Sequence, residues 1–191
     1  MTHHITVFAA SADGVHAEYL EAARALGRGI AERGWTLTWG GGRNGLMGAV
    51  SSAARAAGGE VRGVILDRFV HMGVQCEATL DMEVVADMRA RKAGLDMKCD
   101  AIVALPGGLG TLDEVAEMLC FKQLGIHAKP IVLVDTRGYW SPLLATLEHA
   151  VQEGFVREGL SGAVVVAATP HEALAEIERA FDAAAGASGS R

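Results

Sequence analysis

Short runs of β-branched and apolar residues alternate along this chain with longer alanine-rich stretches of helical period. That alternation leaves few solutions other than a parallel sheet covered by helices on both faces. The apolar runs fall at 5–9, 36–39, 61–66, 82–85, 101–105, 131–134 and 163–166, and the helical stretches at 15–33, 46–57, 88–98, 112–124, 142–153 and 171–184. Gly34 and the Gly58-Gly59 pair end the first two helical stretches, and Thr169-Pro170 opens the last. The expected class is α/β, a Rossmann-like three-layer fold with a parallel sheet of about seven strands.

With 191 residues and 50% hydrophobic content, the chain suits one core, and it shows no linker or internal repeat. We expect a single nucleotide-binding domain over 1–185 and a disordered tail over 186–191. A net charge of −6 and only 5% aromatic residues argue against a nucleic acid polymer or an anionic membrane as partner. The start of the chain lacks the basic and apolar segments of a signal peptide, and no apolar stretch approaches the ~20 residues of a membrane span. Cys76, Cys99 and Cys120 have neither metal-ligand spacing nor a disulfide pattern. The expectation is a cytoplasmic protein with reduced thiols, no metal and no cofactor.

In open parallel sheets ligands bind beyond the carboxyl ends of the strands, so the loops there carry the chemistry. Three of these loops stand out. Ala9-Ala10-Ser11-Ala12-Asp13-Gly14 follows the first strand, and Gly40-Gly41-Gly42-Arg43-Asn44-Gly45-Leu46-Met47-Gly48 follows the second. Pro106-Gly107-Gly108-Leu109-Gly110-Thr111-Leu112-Asp113-Glu114 follows the fifth, as a glycine turn entering a helix. Such a turn lets backbone amides approach an anion, with the Thr111 hydroxyl beside them. Glu114 is expected in the first helical turn, where it either complements the helix dipole or acts on a bound ligand. The glycine run at 40–48 lacks the Gly-Lys-Ser/Thr of a P-loop and is a poor dinucleotide fingerprint. It either exposes amides to a ligand or lets the next helix pack closely. Asp87-Met88-Arg89-Ala90-Arg91-Lys92 is the densest positive cluster in an acidic chain. Arg91 and Lys92 suit an anionic ligand, and Arg89 reads as a solvated face. The segment 67–80 is expected as a long loop of mixed polarity, either covering a site or making a surface excursion. These features point to a nucleotide or sugar phosphate site.

The glycine run at 40–48, Met88 with Arg91-Lys92, and the segment from Pro106 to Glu114 resemble the paired motifs of the Lonely Guy (LOG) family. Gln123-Leu124-Gly125-Ile126-His127-Ala128-Lys129-Pro130 and Gly138-Tyr139-Trp140 extend the likeness over roughly 5–160. That family comprises cytokinin riboside 5'-monophosphate phosphoribohydrolases. The resemblance implies cleavage of the N-glycosidic bond of a nucleoside 5'-monophosphate, with N6-prenyladenosine 5'-monophosphate or AMP as substrate. It places Arg91 and Glu114 at the catalytic positions. It implies substrate binding by Ser11, Gly41, Gly42, Met88, Lys92, Gly107, Gly108, Leu109, Gly110, Thr111 and Cys120, and a homodimer with its active site near the subunit contact.

The chain departs from the family at several points. The first loop reads Phe8-Ala9-Ala10-Ser11 where relatives often carry Cys-Gly-Ser-Ser, Cys120 stands at a position usually held by threonine, and the segment 67–80 matches poorly. A non-catalytic nucleotide carrier on the same fold is the alternative reading, and the Arg91–Glu114 pair discriminates, because binding alone does not require both. A lysine decarboxylase label, also used for the family, calls for a Schiff-base lysine and a partner for the pyridine nitrogen. Lys92, Lys98, Lys122 and Lys129 all have simpler readings.

Overall fold

The computed structural model describes residues 2–78, 81–97, 99–157, 159 and 162–188. Its elements run β1 (His4–Phe8), α1 (Ala17–Glu32), β2 (Thr36–Trp39), α2 (Gly45–Ala56), β3 (Val61–Leu66), α3 (Asp67–His71), β4 (Asp81–Val85) and α4 (Met88–Met97). β5 (Ala101–Ala104), α5 (Leu109–Gln123), β6 (Ile131–Val134), α6 (Ser141–Gln152), β7 (Val165–Ala167) and α7 (Pro170–Ser188) follow, with a 3-10 turn at Thr136–Gly138.

The seven strands form one sheet in the order β4-β3-β2-β1-β5-β6-β7, every neighbouring pair parallel. The pleat sends alternate residues to opposite faces, and two cores result. Ile5, Val7, Val103 and Val134 pack with Leu26, Ile30, Val50 and Leu174 from α1, α2 and α7. Phe8, Ile102, Ala104 and Leu133 pack with Leu95, Val115, Met118 and Trp140 beneath α4, α5 and the start of α6. Leu26 and Ile30 are wholly buried, so truncating either to alanine costs about 2–5 kcal/mol.

The chain winds outward from β1 to β4 and then crosses back to lay β5 on the other side of β1. The strand order therefore reverses between β1 and β5. Loops leaving the two strands diverge there and open a crevice.

Four details differ from the sequence expectation. The segment 67–80 opens with the helix α3, whose five residues are too few to show a period. β7 lies at Val165–Ala167 rather than 163–166, because pairing with β6 matches Val132 to Val165 and Val134 to Ala167. α7 runs through Ser188, so the expected tail is helical in its first residues, and 189–191 lie outside the described residues, as does Lys98 of the expected fourth helix. α5 begins at Leu109, ahead of the expected 112. No helix among the described residues is long and apolar enough to cross a membrane.

Candidate active site

The early start of α5 changes the position of its glutamate. Gly108 is the N-cap, in extended conformation, and Leu112 N donates to the Gly108 carbonyl at 3.0 Å. Glu114 consequently lies in the second turn, and the first turn holds no acidic residue. The reading of Glu114 as a simple helix-dipole partner at the helix start is thereby corrected.

Arg91 reaches Glu114 from α4. The Asp87 side chain caps that helix, accepting from Arg89 N at 2.8 Å and Ala90 N at 2.9 Å, and so fixes which face α4 turns toward α5. Arg89 is left exposed and Arg91 is buried. Arg91 Nη1 donates to Glu114 Oε1 at 2.8 Å and Nη2 to the Gly40 carbonyl at 3.4 Å. Burial pushes the Glu114 carboxyl above its ordinary range, and the Arg91 charge and hydrogen bond oppose that shift. The net direction is upward. Arg91 Nε is buried with no partner among the described residues, leaving one donor of the fork uncommitted.

Glycine at two positions of the second loop makes this arrangement possible. A methyl on Gly40 would collide with the Arg91 guanidinium and meet the Met47 methyl at 2.7 Å. Gly41 adopts φ +77°, and a side chain there would meet Ile65 Cβ at 2.8 Å. The loop is then stitched to the segment after α3: Arg43 N donates to Val74 O at 3.0 Å, Cys76 N to Gly41 O at 2.9 Å. Indole Nε1 of Trp39 adds a bond to Gly42 O at 3.2 Å.

These loops surround a cavity of about 490 Å³ at the β1/β5 reversal. Of the residues singled out in the sequence, Ser11, Gly42, Met88, Arg91, Gly108, Leu109, Gly110, Thr111 and Glu114 all line it. Gly41 and Gly107 do not line it and sit behind their neighbours. Lys92 is turned away, paired with Asp113 at 3.2 Å and Glu117 at 3.0 Å across the α4–α5 seam. Cys120 is not brought to the cavity at all. It is exposed on the outer side of α5, in an apolar groove with Leu119, Leu143 and Leu147.

Gly40, Asn44 and Met47 of the glycine run at 40–48 also line the cavity, as do Ile65, Phe69, Met72 and Val74, which the sequence does not single out by residue. Phe69, Met72 and Val74 belong to the segment 67–80, for which the sequence leaves open a cover over the site or a surface excursion. They give the cavity an apolar end at the tip of β3. The glycine turn of β5 lies three strands away, roughly 14 Å across the sheet at the usual strand spacing. Arg91, bonded to the tip of β2, brings the Glu114 carboxylate between these two ends. An anion held at the start of α5 would thus present an attached ring system to the apolar end, with the carboxylate alongside the join.

No lysine lines this cavity among the described residues. Besides the pairing of Lys92, Lys122 Nζ donates to Lys129 O at 2.9 Å, and Lys129 is paired with Asp96. The described residues also hold no cluster of three or more metal-ligating side chains.

Comparison with known proteins shows the family. The family model described as "Possible lysine decarboxylase" matches residues 47–177. A cytokinin riboside 5'-monophosphate phosphoribohydrolase of Oryza sativa subsp. japonica is 40% identical over 174 residues, covering 91% of this chain and 72% of that protein. An Arabidopsis thaliana protein of the same description is 40% identical over 174 residues, covering 91% of this chain and 80% of its own length. Among solved structures, the molybdenum cofactor carrier protein of Chlamydomonas reinhardtii superposes with a TM-score of 0.74 at 26% identity, over 95% of this chain and 99% of that one. By the length and level of these matches, the chain belongs to the LOG family.

Proposed function

We propose that this protein hydrolyses the N-glycosidic bond of a cytokinin riboside 5'-monophosphate, releasing the free base and ribose 5-phosphate. The observation that carries the reading is the buried Arg91–Glu114 pair set beside an anion-holding helix start in one cavity. The amides opening α5 and the Thr111 hydroxyl take the 5'-phosphate, which fixes the ribose. The apolar end formed with Phe69, Met72 and Val74 takes the base and its N6 substituent.

As the bond from C1' to the base nitrogen lengthens, positive charge grows on the sugar and the electron pair leaves with the base. Glu114 Oε1 is committed to Arg91, so Oε2 is the oxygen that faces this charge and the water adding to C1'. Water supplies hydroxyl to C1' and a proton to the base. Arg91 keeps the carboxylate ionised and oriented despite its burial. The reaction requires no cofactor.

Homology to the plant enzymes supports this reading over decarboxylation through pyridoxal phosphate, because no described lysine reaches the cavity to form a Schiff base. The carrier reading draws on the likeness to the molybdenum cofactor carrier, and simple binding leaves the buried acid–base pair unexplained. We infer a homodimer whose seam covers the α5–α6 groove, bringing Cys120 of one protomer toward the other's site. A cytoplasmic setting suits the thiols of Cys99 and Cys120.

The test is incubation of pure protein with isopentenyladenosine 5'-monophosphate and with AMP, reading free base and ribose 5-phosphate by chromatography. Equimolar release of both products without added cofactor is the expected result. Tight binding with no turnover would favour the carrier.

A further inference from the structure

Tyr139 lies outside the cavity, yet its hydroxyl donates to the carbonyl of Gly107, in the middle of the turn that enters α5. Neighbouring carbonyls of that turn are also held by the protein. Pro106 O accepts from Ala10 N at 3.2 Å, and Gly108 O from Leu112 N at 3.0 Å. Three successive carbonyls are therefore occupied, each by a different part of the fold: the β1 loop, the segment after β6 and α5 itself.

A trans peptide points its C=O and N–H in opposite directions, and the chain contains no cis peptide among the described residues. Fixing the Gly107 carbonyl outward on Tyr139 therefore turns the Gly108 N–H inward, and Gly108 lines the cavity while Gly107 does not. The Gly108 N–H has no protein acceptor among the described residues. Glycine is the residue least able to hold one peptide orientation unaided. On its other side, Gly107 is packed against the Thr111 side chain, where no larger residue fits.

The Tyr139 ring is held in turn. It packs edge-on against Tyr19 at 6.2 Å and Trp140 at 5.2 Å, and Trp140 N donates to Asp135 Oδ1 at 2.7 Å. Its hydroxyl thus acts from a rigid mount rather than from a mobile loop.

Resting on the phosphate-binding role proposed above for the turn, we propose that Tyr139 is a positioning residue. By holding the Gly107 carbonyl outward, it presents the Gly108 amide to the 5'-phosphate of the substrate. It touches neither the ribose nor the base. Its loss should weaken recognition of the phosphate and leave the rest of the site intact.

The experiment uses full-length Tyr139→Phe, which keeps both ring contacts and removes only the hydroxyl, with Tyr19→Phe as the control for the neighbouring ring. Ribose 5-phosphate binding is measured by calorimetry, and the Gly108 amide is followed by NMR during the same titration. In the wild type, ribose 5-phosphate binds and the Gly108 amide resonance shifts. Tyr139→Phe should weaken that binding by about tenfold, raise KM for the nucleotide similarly with kcat little changed, and reduce the amide shift. Tyr19→Phe should match the wild type. Wild-type affinity in Tyr139→Phe, or a Gly108 amide that does not respond to saturating ribose 5-phosphate, overturns the proposal. Failure of the wild type to bind ribose 5-phosphate at all would overturn the phosphate-turn reading beneath it.

Discussion

Arg91 and Glu114 meet across the α4–α5 seam at 2.8 Å with 10% and 11% of their side chains exposed. A pair this buried adds little net stability compared with apolar residues of similar volume, because both charges are stripped of water. Removing one partner, by contrast, strands the other charge and costs about 3–5 kcal/mol. Its place on the wall of the cavity, with the carboxyl pushed upward by burial, supports the chemical role proposed for it.

Glu114→Gln tests that assignment most directly. The amide keeps an oxygen for Arg91 but carries no charge to set against the developing ribosyl cation. Base release should fall by about 10²–10⁴-fold while nucleotide binding remains measurable. Steady-state kinetics with calorimetry of the same variant checks this, and full hydrolytic activity would remove Glu114 from the mechanism.

Most of the fold could be read from the chain because the strands are buried on both faces and so appear as unbroken apolar runs, as in β5 and β6. The motifs likewise pointed to Ser11, Met88, Arg91, Gly108 through Thr111 and Glu114, which the fold brings to one cavity. What escaped was set by tertiary contact. Gly110 and Leu109 look like a turn in sequence, yet they form the first turn of α5, where a glycine costs little and exposed amides are useful. Phe69 and Met72 enter the site through the five-residue α3, too short for any period. Lys92 suits an anion in sequence, and only the structure shows Asp113 and Glu117 beside it.

The elevated pKa of Glu114 links pH to both stability and rate. Its folded value lies above the ordinary 4.5, so the native state holds the proton more tightly than the unfolded chain. The stability this contributes is complete below about pH 4.5 and is lost as pH rises through the folded pKa. Urea titrations across that window should show it. The proposed reaction needs the ionised carboxylate, so the acid limb of kcat/KM should fall above the ordinary carboxylate range. Removing the opposing charge in Arg91→Met should push the carboxyl higher and extend the stability loss to higher pH. A Glu114→Gln protein with the same pH dependence of stability would contradict this.

Gly40→Ala probes the cradle of the guanidinium. The added methyl has no room beside Arg91 and Met47, so Arg91 must shift away from the Gly40 carbonyl and carry Glu114 with it. Displacements of about 1 Å at such a site cost roughly 10²-fold in rate. The overpacking itself should destabilise the fold by about 1–3 kcal/mol. Comparison of kcat/KM with thermal melting separates the two effects, and an alanine variant of normal activity would show that the guanidinium position is not demanding.

Cys120 offers a test of the assembly. It lies exposed beside Leu119, Leu143 and Leu147 in a groove of about 140 Å³, outside its own chain's cavity. Because nothing in the protomer needs it buried, Cys120→Arg should fold normally while setting a charge in an apolar seam. Wild-type protein should run as a dimer in size-exclusion chromatography with light scattering, and the arginine variant should shift toward monomer. If the groove completes the partner's site, hydrolysis should fall in step with the loss of dimer and recover as protein concentration rises. A monomeric wild type of full activity would separate catalysis from assembly and leave the groove without a catalytic part.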